Sequence, residues 1–445
     1  MRVISRLFTR IAERYLPDAF IFVFVLTLLV FVLGLFKGYN PIQVVNFWEK
    51  GFFDLLTFTA QATMMLVTGF ALAHTPLVNR GLKAFAKLPK SEVQVIILTT
   101  VVMMVCSWIS WGFGLIAGAI VAREMGIVHR GKIHYPLVVA AAYSGFLVWH
   151  AGYGGSIPQL IATKGHFLEK QMGVIPVSQT IFAPFTYIIV LALLIIIPLA
   201  NVMMRPKAGE ARISLPESIL SEEEHAPAAE ISPQAVKGDI PPAVRLENSR
   251  WITFILGLLG LFSLIFYFAA GGDLNLNIVI LSFLTVGLLL TPNTKEYLNS
   301  FMGGSKSAYG IILQFPFYAG IMGMMTQTGL AADIANGFVA ISSAKSLPFW
   351  SFISGGIINM FVPSGGGQWA VQGPIMIDAA GKIGADMARV SMGVAWGDAW
   401  TNMIQPFWTL PMLAIAGLGI RDIMGYTAAI TIVSGVVIGL GLLLL

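Results

Sequence analysis

Charge is scarce in this chain: 11% of its 445 residues are Asp, Glu, Lys or Arg, against 56% hydrophobic. A water-soluble domain carries about 25% charged residues, so a soluble fold is excluded. Cysteine is nearly absent. Cys106 alone can form neither an intramolecular disulfide nor a thiolate metal cluster, and its apolar neighbourhood reads as packing. Basic patches are also lacking. The net charge of +5 comes from Lys and Arg scattered at the ends of apolar runs, which is the signature of membrane topology and not of nucleic-acid binding. The six His residues show no H-E-x-x-H or similar metal-ligand spacing. No nucleophile stands beside a base at membrane depth, so an enzyme is not expected.

What the chain has in abundance is long apolar sequence. Spanning segments are expected at 17–36, 55–79, 136–163, 179–203, 251–270, 275–291, 307–328, 389–417 and 423–445. Two more stretches, 92–127 and 347–380, are interrupted midway by glycine-rich peptides. Residues 1–16 are Arg-rich with apolar residues at helical spacing, which suits a helix lying on the membrane surface. The run that follows is too long for a secretory h-region and lacks a small-residue cleavage site, so it should stay as an anchor. Segment 204–250 is rich in Pro, Glu, Ala and Ser and poor in aromatics, and reads as a flexible cytoplasmic linker.

The most informative feature is a repeat. A shift of 253 positions superimposes the two interrupted stretches without a gap. It puts Gly112 and Gly114 on Gly365 and Gly367, Pro158 on Pro411, Gln61 on Gln314 and Thr75 on Thr328. If each interrupted stretch is a re-entrant hairpin, residues 1–203 cross the membrane four times and end where they began. The added span at 251–270 then sets the second repeat, within 251–445, upside down. The expected fold is therefore an all-α polytopic membrane protein of two inverted repeats, each with a re-entrant hairpin and a broken transmembrane helix, an arrangement typical of secondary transporters. With the N-terminus in the cytoplasm, 20 of the 27 Lys and Arg residues fall on inner segments and the C-terminus is periplasmic.

Irregular backbone at membrane depth is tolerated only where it is buried in protein or lines a cavity. Four places look broken: Ser107–Gly114, His150–Pro158, Val362–Trp369 and Thr401–Pro406. A broken helix offers free N–H groups and a positive dipole end to a carboxylate, and its freed carbonyls suit a cation. The substrate-binding candidates are accordingly Ser107, Ser110, Gly112 and Gly114 in the first hairpin and Gly154, Gly155 and Ser156 in the first broken helix. Their counterparts are Ser364, Gly365, Gly366, Gly367 and Gln368 in the second hairpin, with Thr401 and Asn402 in the second broken helix. Glycines can also serve close helix packing alone. Asp398 and His150, ionisable groups beside breaks, are the coupling-ion candidates. Asp398 either cycles a proton or helps to hold Na⁺, and His150 is either a relay or a hydrogen-bonded structural residue. No Lys or Arg lies in the four breaks, whereas a dicarboxylate or phosphate site would recruit one. That favours a ligand with one negative charge. Trp108, Trp111, Trp149, Trp369, Trp396, Trp400 and Trp408 cluster near the breaks, where some can wall an apolar tail, although interfacial belting explains Trp as well.

The stretches H-A-G-Y-G-G-S-I-P (150–158), V-P-S-G-G-G-Q-W-A-V-Q-G-P (362–374) and W-G-D-A-W-T-N-M-I-Q-P-F-W (396–408) resemble those of the bacterial short-chain fatty acid transporter family, within the wider ion transporter superfamily. The resemblance extends over nearly the whole chain. It implies uptake of acetoacetate, butyrate or similar monocarboxylates across the cytoplasmic (inner) membrane. It also implies a homodimer in which a transport domain moves as an elevator against a fixed scaffold. Separately, the residues lead to the expectation of Na⁺ or H⁺ as coupling ion and of no cofactor or bound metal. The dicarboxylate carriers of the superfamily have Ser-Asn-Thr motifs at hairpin tips, where this chain has Ser-Trp-Ile-Ser and Pro-Ser-Gly-Gly. The alternatives are a carrier for another organic anion, such as a dicarboxylate or an amino acid conjugate, or a channel.

Overall fold

A computed structural model describes residues 19–207, 209–217, 219, 241–360, 362, 364–405 and 408–445, which contain helices and no strand. The expected surface helix at 1–16 and most of the acidic part of the linker lie outside the described residues. The first repeat region contains α1 (Ala19–Phe36), α2 (Pro41–Gly51), α3 (Leu56–Ala73), α4 (Pro76–Phe85), α5 (Glu92–Ile109), α6 (Trp111–Val128), α7 (Tyr135–Ser144), α8 (Ser156–Ile161), the short α9 (Glu169–Met172) and α10 (Pro184–Met203). After α11 (Pro242–Glu247) and α12 (Arg250–Ala269) follow α13 (Leu276–Leu290), α14 (Thr294–Ser307), α15 (Tyr309–Gln327), α16 (Leu330–Ile341), α17 (Leu347–Asn359), α18 (Gly365–Ile383), α19 (Met387–Thr401), α20 (Thr409–Ala416) and α21 (Ile420–Leu444).

The element order of the first region recurs in the second. Helices α2, α3 and α8 start at 41, 56 and 156, and α14, α15 and α20 start 253 positions later, at 294, 309 and 409. Six helices among the described residues are long and apolar enough to cross a bilayer: α3, α5, α6, α10, α12 and α21. The molecule is thus an all-helical, multi-pass membrane protein. Helix α12, which has no counterpart in the first region, is the most peripheral of the six. Only 17% of its apolar window is buried, and Trp251, Leu259 and Phe266 face outward.

The structure adds α2, α4, α14 and α16, which the sequence reading treats as loops or as the ends of spans. They are too short or too polar to register as spans, and their signals are local. Asn40 and Gln43 form a reciprocal capping box at the start of α2, and Asn293 caps α14. The linker also differs from expectation. Its first part is docked, not flexible: the Arg212 guanidinium binds Glu92 at 3.1 Å, the Ile213 amide donates to His134 Nδ1, and Leu215 and Ile219 are buried.

Both interrupted stretches fold back on themselves. In the first, a Cβ at Gly114 would lie 2.5 Å from Ser107 Oγ, so only glycine allows the arms α5 and α6 to meet there. In the second, Gln368 Nε2 donates across to the Gly355 carbonyl at 3.0 Å, and Gln372 Nε2 to Ser354 Oγ at 2.9 Å. The first hairpin's arms, 18 residues each, are about 27 Å long.

Candidate functional site

The turn of each hairpin is set by one serine. Ser110 and Ser364 are the N-caps of α6 and α18, in extended backbone, with their hydroxyls accepting from the Phe113 and Gly367 amides. A cap satisfies part of the first turn only. The amides of Trp111 and Gly112 in the first tip, and of Gly365 and Gly366 in the second, have no hydrogen-bond partner among the described residues. Each tip is therefore a buried helix N-terminus with donors to spare.

The broken helices bring the two tips to one place. After α7 the chain tightens into a 3₁₀ turn, Gly145–Ala151, before α8 resumes at Ser156. After α19 it does the same at Asn402–Ile404 before α20. A Cβ at Gly154 would lie 2.6 Å from the Trp111 amide nitrogen, so the first break lies directly on the first tip. A Cβ at Gly365 would lie 2.6 Å from His150 Nε2, so the second tip abuts the same break. Trp111 packs edge-on to Trp408 at 5.1 Å and to Trp149 at 6.4 Å. Three tryptophans thus surround the junction.

At its centre, His150 Nε2 lies 3.1 Å from Asp398 Oδ1, with both side chains fully buried. The two residues sit in repeat-related breaks but are not equivalents, since the shift of 253 carries Gly145 onto Asp398. The pair therefore breaks the symmetry of the repeat. Asn359, at the end of α17, donates to the Asp398 carbonyl at 3.0 Å and to Thr401 Oγ1 at 2.9 Å. Its amide meets that of Asn402 at 2.8 Å, and Tyr143 donates to the Asn402 carbonyl at 2.8 Å. Asp398 Oδ2 and His150 Nδ1 remain without a partner among the described residues. Unsatisfied buried polar atoms are rare in folded proteins, and these two lie where the tips meet.

The sixteen sequence-derived candidates divide by environment. Ser110, Gly154, Ser364, Gly365, His150, Asp398 and Asn402 converge on the junction. Gly366 and Gly367 turn outward, against Phe58 of α3 and Tyr318 of α15, and Gly112 lies against Leu66 of α3. Ser107, Gly114 and Gln368 pack inside their own hairpins. Thr401 is committed to the Gly356 and Gly397 carbonyls. Gly155 closes its own turn against the His150 carbonyl, and Ser156 is half-buried at the start of α8. Sequence reasoning missed Asn359, Tyr143, Phe58 and Tyr318. Asn359 left one usable signal, a lone amide in an apolar run just before a break. The others became visible only through packing.

Comparison with known proteins accords with this architecture. The chain is similar in fold to the YdaH transporter of Alcanivorax borkumensis, with a TM-score of 0.58, 13% identity and coverage of 95% of this chain and 98% of that one. It is also similar to MtrF of Neisseria gonorrhoeae, described as illuminating a class of antimetabolite efflux pumps, with a TM-score of 0.52, 16% identity and 97% of each chain covered. In sequence it is 43% identical over 443 residues to an Escherichia coli K12 protein, covering 99% of each chain. It is 38% identical over 449 residues to one from Haemophilus influenzae, covering 99% of this chain and 98% of the relative. Both relatives carry the name "Putative short-chain fatty acid transporter". A family model described as short chain fatty acid transporter matches residues 1–445, and the chain belongs to that family.

Proposed function

We propose that this protein is a secondary active carrier, not an enzyme, that moves short-chain fatty acid anions such as acetoacetate or butyrate across the cytoplasmic membrane by proton symport. The observation that carries the reading is the meeting of two serine-capped helix N-termini, each with spare amides, around one buried His–Asp pair. Free backbone donors at a positive dipole end suit one carboxylate. The absence of Lys and Arg from Ser107–Gly114, 150–158, 362–369 and 401–405 disfavours a second negative charge on the ligand. Trp111, Trp149 and Trp408 offer a wall for a short apolar tail. Ser110, Ser364, Gly365 and Asn402 are the residues best placed to meet the substrate.

His150 and Asp398 are the proposed proton-carrying pair, since a buried carboxylate beside an imidazole can pass a proton between them without leaving a bare charge. Na⁺ coupling is the second reading, favoured by the unpartnered Asp398 Oδ2. An elevator motion gains support from the packing of both tips against the repeat-related helices α3 and α15, which would form the fixed frame of an inverted-repeat homodimer. The N-terminus lies inside and the C-terminus outside in this proposal. The test is radiolabelled butyrate and acetoacetate uptake in proteoliposomes, with pH and Na⁺ gradients imposed separately. Accumulation under an inward proton gradient alone is expected. Uptake of neither acid under any gradient overturns the substrate class, and accumulation with Na⁺ alone overturns proton symport.

A further inference from the structure

Away from the junction, a half-open cavity of about 390 Å³ lies between α3, α4, α6 and α20, with His74, Asn79, Lys83, Arg123 and Glu124 in its wall. Lys83 Nζ is bonded to Glu124 Oε1 at 2.8 Å, so the carboxylate of Glu124 is already held by a cation. Arg123 is left over. Its guanidinium has no hydrogen bond or ion pair among the described residues, and its Nε is buried. One uncompensated cation in a restricted cavity attracts one anion, more strongly than it would in open water.

The repeat supplies an internal control. A second cavity, of about 530 Å³, lies at the equivalent place against α18, with Thr326, Ile377, Asp378 and Lys382 in its wall. There Lys382 is neutralised by Asp378 at 2.7 Å and also binds Asn336. The positions that correspond to His74, Lys83 and Arg123 hold Gln327, Asn336 and Met376. A cavity needed for architecture alone would appear in both repeats, and it does. The uncompensated cation appears in one.

We propose that the Arg123 cavity is a second, outlying monocarboxylate site, which holds a short acid anion between the bulk phase and the central junction. This rests on the monocarboxylate reading above, and it assigns Arg123 a charge-pairing role that the central site does without. By the loop-charge argument the cavity opens on the cytoplasmic side, where it would delay release and raise the local anion concentration.

The test is independent of transport. In full-length protein with Cys106 replaced by Ser, Asn79→Cys puts a thiol in the cavity wall. The probes are an anionic and a neutral methanethiosulfonate reagent of similar size, with butyrate as competitor. The anionic reagent is expected to react about threefold faster than the neutral one, and butyrate should slow both. Arg123→Gln should abolish the charge preference and the protection, while Arg123→Lys should retain the preference. An unchanged preference in the Gln variant, or protection by phosphate but not by butyrate, overturns the site. Proteoliposome uptake by the Cys-free parent separates the outcomes. Uptake without protection refutes the outlying site alone, whereas loss of both refutes the substrate class.

Discussion

At the residue scale the decisive group is the buried pair His150–Asp398, 3.1 Å apart. Removing one partner of such a pair strands the other in a low-dielectric interior, at about 3–5 kcal/mol. His150→Ala is therefore expected to lower thermal stability in detergent, and His150→Ala with Asp398→Asn to recover much of the loss, because no bare charge remains. Additive losses in this double-mutant cycle would show that the two groups are not coupled. Asp398→Asn alone is nearly isosteric and should fold. It should lose gradient-driven accumulation yet keep substrate counterflow, which need not release the coupling ion. An Asn variant that concentrates substrate as well as the parent would make Asp398 structural.

At the element scale the second hairpin depends on glycine where it meets the frame. A Cβ at Gly366 would collide with the Phe58 ring of α3, and one at Gly367 would lie 2.5 Å from the Tyr318 ring. Gly366→Ala should cut uptake at least about tenfold while leaving membrane insertion intact, since overpacking distorts a tight interface. Phe58→Ala in the same protein should restore part of it. Failure of that rescue would point to the backbone conformation of the tip and away from the collision. The loop before α10 makes a second prediction. His166 Nδ1 accepts from the Leu168 amide at 3.3 Å and Nε2 faces the Gly173 carbonyl at 3.0 Å, a pattern for the neutral ring. Burial holds its pKa below the ordinary 6.5. The folded loop therefore binds fewer protons than the unfolded loop. Its stability is full above pH 6.5 and falls as the pH drops below it. Leu168 packs on Gly373 of α18, so the protection factors of amides in 166–173, taken relative to the intrinsic exchange rate at each pH, should fall below pH 6.5, and His166→Gln should flatten that dependence.

At the scale of the whole molecule the matching helix order of the two regions makes topology the central prediction. Residues 204–250 should be cytoplasmic and Leu445 periplasmic, read by reporter fusions or by labelling of single cysteines. A cytoplasmic C-terminus would remove the inversion. The docking of Arg212 and Ile213 on Glu92 and His134 adds a check, because that contact ties the linker to the same face as the start of α5.

What the sequence determined by itself is whatever depends on short-range chemistry and on periodicity. Apolar runs of bilayer length announce spans, Gly, Pro and Ser announce where helices break, and a constant offset of 253 announces two related regions. These signals survive in one dimension because helix hydrogen bonds are local. Tertiary structure alone decided which breaks meet, that His150 pairs with Asp398 248 positions away, and that Gln368 serves its own hairpin and Thr401 ties α19 to α17 while Asn359 joins the junction. It also decided that Arg123 is left without a counter-charge among the described residues while Lys83 is not. Such assignments depend on the direction of each side chain around its helix and on which helices come into contact. Neither is encoded in composition or spacing. Both follow from close packing, where a single Cβ at Gly154 or Gly365 would be enough to keep the parts of the site apart.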